Sequence, residues 1–442
     1  MPTTTVLDRL EAAWRRSDEI FSMLAPGSFH ERPISLRHPF IFYVGHLPVF
    51  GWNQVCRRLL EKEPFRREFD DLFERGIDPL SESDPAARSR TNWPELAEIE
   101  SYRDRVRAAL REAFAEVAST RSRDPLLENA RIFEVVLEHE LMHHETLLYM
   151  VQQLDRRKRF RPEGWPEPAG SGAGRRRAEK IRIREGAATL GADFGEIPFG
   201  WDNEFPKRAE RVPAFAIDSL PVTNAEFLEF VEAGGYGDPR CFSAEGLSTL
   251  RRHGVREPRF WTRESGALSV RTLFDDVPFE TAASWPVTVS WIEADAFARW
   301  RGERLPTEAE LLRASHGTPG GGERRHPWGD EEPSERHGNF DFRGVSPGPV
   351  GTHPEGRSAF GVEDTVGDGW EWTATAFQPH PGFRPWIRTY PGYSADFFDA
   401  EHYVLLGASF ATSKELVRRS FRNWFQPNYP FVFSKFRCAR ST

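Results

Sequence analysis

Between residues 161 and 174 the chain reads RPEGWPEPAGSGAG, and this stretch separates two parts that cannot fold by the same rule. Proline stiffens such a segment while glycine and serine free it, which is linker chemistry. Before it, apolar residues recur at helical spacing: Leu7, Leu10, Ala13 and Trp14, and later Phe114, Val117 and Ala118. Tyr43 to Leu60 and Ile132 to Leu154 are apolar with few breakers, and Pro79 to Pro94 is a polar loop between helices. Helices of this kind with short connections predict a bundle. After the linker, short β-like runs (Ala188 to Gly191, Phe215 to Ile217, Val404 to Leu406) lie among Gly, Pro, Asn and Asp. Helix starts there carry capping pairs, Thr223 with Glu226, Ser290 with Glu293 and Thr307 with Glu310. The reading is an α+β multidomain chain. A helical bundle covers residues 1–165, a linker 166–184, and an α+β domain rich in irregular structure 185–442.

A chain of 442 residues exceeds one ordinary core. Its 14 Trp and 35 Phe beside 34 Pro point to loops pinned by large side chains. A net charge of −8 argues against a nucleic-acid partner, which needs a basic face. The basic runs at 156–159 and 175–177 read as solvated linker. Cys56, Cys241 and Cys438 are odd in number and far apart, which indicates neither a disulfide framework nor a CxxC metal site. Without a signal-type or membrane-length apolar run, a cytoplasmic location and no membrane partner are expected.

The sharpest local motif is HELMH at 139–143. On a helix, positions four apart share a face, so His139 and His143 can reach one metal ion. Three readings compete: two hydrogen-bonded core histidines, a zinc peptidase with Glu140 as general base, and a redox iron site with a third ligand from another helix. His46, flanked by apolar residues, is the candidate third ligand; His38, before Pro39, fits a helix entry better. Imidazoles accept zinc, copper, iron or nickel, so the residue types leave the metal open.

Four further blocks are specific: VTNAEF at 222–227, PVTVSW at 286–291, RLPTEAE at 304–310 and VGDGWEWT at 366–373. Through them the C-terminal part resembles the formylglycine-generating-enzyme (sulfatase-modifying factor, C-type-lectin-like) fold family. The N-terminal part resembles the DinB-like helical bundle. The pair, with an early His and HxxxH later, resembles the nonheme-iron ergothioneine and ovothiol sulfoxide synthases and the related selenoneine synthases. RHPFIFYVGH at 37–46 is closest to the ovothiol branch, and GWDNEF at 200–205 is another family-like block.

The resemblance implies Fe(2+) on His46, His139 and His143, with hercynine, a selenosugar or thiol, and O2 as reactants. It places the substrate at Asn423 and Trp424, with Phe425, Gln378 and Met142 nearby. An indole face attracts a quaternary ammonium, which suits the trimethylated substrate. The alternative for Asn423 and Trp424 is plain packing.

Departures from the family pattern steer the choice of branch. FQPNYP at 425–430 carries no charge, although members that use γ-glutamylcysteine place charges there to hold its carboxylates. The loop TAFQPHP at 375–381 lacks the tyrosine usual after the Trp372 block, so either Tyr43, Tyr390 or Tyr429 serves instead or the mechanism differs. Met142 stands where the ergothioneine branch often has Gln. The chain ends at Thr442 without the methyltransferase domain of ovothiol enzymes. The expectation is therefore a selenoneine synthase, joining selenium from a selenosugar to the imidazole C2 of hercynine. The alternatives are a sulfoxide synthase using cysteine or a related thiol, an HExxH zinc peptidase, and a non-catalytic binding protein.

Overall fold

The computed structural model describes residues 4–74, 92–172 and 176–442. The loop expected over Pro79 to Pro94 lies outside them as far as residue 91, as do Ala173 and Gly174 of the linker and Arg175 of the second basic run. The chain divides into two compact units. One is Met1–Gly164 together with Trp386–Pro391; the other is Trp165–Pro385 together with Gly392–Thr442.

The first unit is helical. Helix α1 (Val6–Ser22) starts on a capping box between Thr5 and Asp8 and buries Leu10, Ala13, Trp14, Ser17 and Phe21 along one stripe. Helix α2 (Phe40–Gly51) is buried on every side and runs on as a π-helical stretch over Trp52–Leu59. A helix apolar all round belongs at the centre of a bundle. The short α3 (Arg67–Leu72), α4 (Leu96–Ser119) and α5 (Arg131–Gln153) complete the unit. Helix α1 packs along α5, while α2 lies against α4 and α5. Arg107 of α4 grips Asp18 of α1 through both guanidinium nitrogens at 2.7 and 2.9 Å.

The second unit is α+β. In chain order it contains β1 (Lys180–Ile183), β2 (Gly186–Leu190), β3 (Arg208–Val212), β4 (Phe215–Asp218), α6 (Asn224–Glu232) and α7 (Ala244–Arg252). There follow β5 (Trp261–Glu264), β6 (Ala267–Arg271), β7 (Asp276–Pro278), α8 (Phe279–Ala282), α9 (Trp291–Trp300) and α10 (Glu308–His316). The last elements are β8 (Gly369–Ala376), α11 (Gly392–Ala395), β9 (Tyr403–Ala408), β10 (Asn423–Phe425), β11 (Ser434–Lys435) and β12 (Ala439–Ser441). The strands form sheets of order β1-β4-β12 and β10-β9-β8-β11, a β2-β3 hairpin and a β5-β6-β7 meander. All pairings are antiparallel except β11 with β8.

All three capping boxes expected from sequence are present, at the starts of α6, α9 and α10. Ile183, Phe215, Ile217, Leu311, Leu312, Phe377, Val404 and Leu406 lie in one core cluster. The same unit holds a fully buried ion pair, Arg437 with Glu371. Arg437 also donates to the carbonyls of Asp218 at 3.2 Å and Glu363 at 2.9 Å, so its charge is not left bare. The three cysteines are buried and free.

Candidate metal centre

Two helices of the first unit bring three imidazoles together. His46 comes from α2, His139 and His143 from α5. Their ring centroids are 5.1 Å (His46–His139), 5.0 Å (His46–His143) and 4.5 Å (His139–His143) apart. One ligating atom from each lies within 4.8 Å of the others.

Each ring is set by its surroundings. Gly45 lets the Phe73 ring approach so closely that a Cβ there would stand 2.6 Å from it. The carbonyl of that same Phe73 takes the His46 Nδ1–H at 2.8 Å, which leaves Nε2 as the lone-pair nitrogen. Buried Asp70 of α3 holds the preceding turn, accepting from Trp52 Nε1 at 3.0 Å and from the Tyr102 hydroxyl. His139 is covered by Phe50, whose ring stacks on it at 3.5 Å and 4°.

Burial pushes His46 down to about 4, and pushes His139 and His143 well below the usual imidazole value, helped by the neighbouring histidines. All three are therefore neutral near pH 7, the form that donates a lone pair. Among the described residues, His46 Nε2, His139 Nδ1 and His143 Nδ1 are buried without a hydrogen-bond partner. His46 Nε2 is the lone-pair nitrogen left by the Phe73 bond, and burying it bare is costly unless something binds it. A divalent ion with imidazole ligands fits this donor set. His46 and His139 are buried and His143 is part-exposed.

Glu140 does not belong to this cluster. It is buried, accepts from Ser17 Oγ of α1, and burial raises it to about 7. Ser17 Oγ also bonds His144 Nε2 at 2.9 Å. A zinc peptidase needs that carboxylate beside metal-bound water; here it is committed to Ser17 of α1. His38 precedes the α2 N-cap, Pro39, and packs against Phe42 with the rings tilted 30° and centroids 4.1 Å apart.

In the second unit, Asn423, Trp424 and Phe425 form β10, paired with β9. Trp424 stacks on Phe377 at 4.2 Å and 8°, with Tyr393 edge-on at 5.4 Å. One indole face is thus spent on packing. The Asn423 Oδ1 accepts from the Trp424 N–H at 2.9 Å, so its amide hydrogens are what it has left to offer. Arg422, ion-paired with buried Glu308 at 2.9 Å, lies over Phe377 and donates to the Gln378 carbonyl at 3.1 Å. Phe425 stacks on Tyr429 at 5.0 Å. Met142 belongs to the other unit, one position before His143.

Two features of these surroundings escape sequence reasoning. Phe50 and Phe73 act on the histidines only through packing, which leaves no motif. In the second unit Ser394 Oγ donates to Asp202, and Asn203 Nδ2 donates to Ser394 Oγ at 3.0 Å. The GWDNEF block was visible as a motif, but its partner Ser394 was not.

Comparison with known proteins agrees with this architecture. Residues 9–147 match the DinB superfamily and residues 168–442 the sulfatase-modifying factor enzyme 1-like domain. A hercynine oxygenase of Mycobacterium tuberculosis is 37% identical over 79% of this chain and 80% of its own length. The chain belongs to the hercynine oxygenase family of sulfoxide synthases. Another hercynine oxygenase, of Mycolicibacterium thermoresistibile, is 35% identical over 91% of this chain and 87% of its own length. Ergothioneine biosynthesis protein 1 of Neurospora crassa is 29% identical over 98% of this chain and 57% of its own length. Membership of this hercynine oxygenase family makes the chain an oxidative bond-forming enzyme that uses a metal cofactor and small-molecule substrates. Among the described residues no helix is long and apolar enough to cross a membrane.

Proposed function

We propose that this enzyme joins sulfur from a small thiol to the imidazole C2 of hercynine, using O2 and Fe(2+) held by His46, His139 and His143. The observation that carries the reading is the convergence of three neutral imidazoles on one point. The comparisons support hercynine as the acceptor, because proteins named hercynine oxygenase match 79% and 91% of the chain. They favour the thiol donor over the selenium donor expected from sequence.

When bound, ferrous iron supplies open positions for an anionic donor and for dioxygen. The residues of the chain do the rest. His46, fixed by Phe73, and His139, fixed by Phe50, hold ligand directions. Trp424 and Asn423 offer an aromatic face and amide donors to the trimethylammonium and carboxylate ends of the substrate. Burial of the histidines keeps water from their ligand atoms, and gathering the reactants raises effective molarity.

The uncharged stretch at 425–430, with Phe425 stacked on Tyr429, favours a donor without several carboxylates. That leaves cysteine as the thiol of choice and keeps a selenosugar as the second reading. Anaerobic protein loaded with Fe(2+) is mixed with hercynine and one donor at a time (cysteine, γ-glutamylcysteine or a selenosugar), then opened to air. Mass spectrometry of a sulfoxide product with cysteine supports the proposal. A product only with the selenosugar replaces it by the second reading, and no product in any mixture defeats both.

A further inference from the structure

Six residues of the helical unit come from far along the chain. The strap Trp386–Pro391 is separated in sequence from the rest of the unit by more than 200 residues, yet it packs there. Its attachment is specific. Arg388 pairs with Asp124 at 2.8 and 3.1 Å. The Thr389 carbonyl accepts from Arg58 Nη1 at 2.8 Å. With its nitrogen turned to the strap, the Gln54 amide donates to the Thr389 carbonyl at 3.0 Å and to Thr389 Oγ1 at 2.8 Å. Ile387 and Thr389 are buried.

These anchors deliver Tyr390 to Phe50. The two rings meet edge to face, 5.3 Å apart at 72°. The face of Phe50 lies flat on His139. An edge-to-face contact is directional, and so is a parallel stack; in series they restrict how the His139 ring can rotate. Hydrogen bonding orients His46 through Phe73, whereas among the described residues His139 Nδ1 has no hydrogen-bond partner to set its plane. Aromatic packing takes over that duty.

We propose that Phe50 and Tyr390 are positioning residues for His139, and that the strap thereby sets the metal affinity of the helical unit. This rests on His46, His139 and His143 being metal ligands. The strap's role lies in the ring of Tyr390, through packing, and the hydroxyl is dispensable for it. Residues that orient a ligand from behind typically change metal affinity about ten- to hundredfold when removed.

The test uses the full-length, metal-free protein and Co(2+) as probe, read by its visible absorption bands under nitrogen. Phe50→Leu and Tyr390→Ala are each expected to weaken Co(2+) binding about tenfold or more and to shift the bands. Tyr390→Phe keeps the ring edge and is expected to bind like the wild type. Wild-type affinity and bands in Tyr390→Ala overturn the strap's part, whatever Phe50→Leu shows. Binding in Tyr390→Phe as weak as in Tyr390→Ala also overturns the proposal, because it moves the effect to the hydroxyl.

A thermal melt of each metal-free variant reports folding. If Tyr390→Ala does not fold, Arg388→Ala, at an exposed position, loosens the strap instead and decides alone: weakened binding supports the proposal and unchanged binding overturns it. Failure of the underlying metal reading looks different, since wild-type Co(2+) binding would then survive His46→Ala.

Discussion

His46 Nδ1 stands 2.8 Å from the carbonyl oxygen of Phe73, and the Phe73 ring presses on the residue just before His46 in the chain. Backbone and side chain of one phenylalanine thus hold the histidine from two directions. Gly45→Ala would put a methyl group 2.6 Å from a fully buried ring. Overpacking of this kind costs about 1–3 kcal/mol. Urea denaturation is expected to show that loss, and Co(2+) titration an accompanying fall in affinity as the Phe73 carbonyl is displaced. A variant as stable and as tight as the wild type would remove Phe73 from the account of the site.

Glu140→Gln separates the oxygenase from the peptidase. The carboxyl accepts from Ser17 on the side of α5 turned to α1, and an amide oxygen can accept in the same place. Metal content and hercynine-dependent oxygen uptake are expected to stay within about threefold of the wild type, since a neutral acceptor replaces a group already raised to about 7. Loss of both would mean that this carboxylate acts at the metal.

The metal-free protein is expected to lose stability on mild acidification. Burial holds His46 at about 4 and His144 and His316 at about 3, with His139 and His143 also far down, against 6.5 in the unfolded chain. Below 6.5 the unfolded chain takes up protons that the folded one refuses. Their contribution is complete above 6.5 and is lost as pH falls toward the folded values, by up to about 1.4 kcal/mol per pH unit for each group. Carboxyls raised by burial run the other way. Glu140 at about 7, Asp202 and Asp364 at about 6, and Glu293 and Asp295, also raised, stabilise the fold below their unfolded values, and that contribution fades as pH rises through the folded ones. His38 and His326, held at about 4 by burial, add to the histidine side. The histidines outnumber these carboxyls, so urea midpoints at about pH 5 should lie below those at about pH 7. Equal or higher midpoints at the lower pH would contradict this.

Arg422 and Glu308 are both buried, and removing one leaves the other charged and unpaired. Arg422→Met is expected to destabilise by about 3–5 kcal/mol, with Glu308→Gln costing less because the amide still accepts. Thermal denaturation of the two variants gives the comparison; a neutral Arg422→Met would mean that water already reaches Glu308.

Trp424→Ala tests the proposed substrate wall. Loss of a cation–π contact worth up to about 2 kcal/mol lowers kcat/KM for hercynine by up to about thirtyfold. The effect should fall mainly on KM, because the onium group is remote from the reacting carbon. Histidine, which lacks the three methyl groups, should be a poor substrate for both proteins. A change confined to kcat would argue for packing alone.

What could be read in the sequence was what depends on near neighbours. The capping boxes at Thr223, Ser290 and Thr307 are each completed within four residues, and all three formed. His139 and His143 share a helix face by period alone. His46 needed more: its apolar flanks suggested a buried helix, and only the family resemblance made it a ligand candidate. Phe50, Phe73 and Tyr390 could not be found in that way. Their effect on the histidines is made by chain segments meeting in space, and an aromatic residue looks the same in sequence whether it fills a core or backs a ligand. The search for a tyrosine after Trp372 illustrates the point. Tyr390 was one of three candidates by composition, and the fold separates them: Tyr43 lies 5.6 Å from His143, Tyr390 meets Phe50, and Tyr429 stacks on Phe425 in the other unit.

The strap also limits how this protein can be taken apart. A cut at the linker near Gly164 gives an N-terminal piece without Ile387, Thr389 and Tyr390, so Phe50 loses its neighbour and Arg58 and Gln54 lose their acceptor. The C-terminal piece would carry a loop whose own docking partner is gone. Gene fusion and domain exchange at that junction should therefore yield poor parts, and the two halves are bound to be inherited, and to diverge, as one.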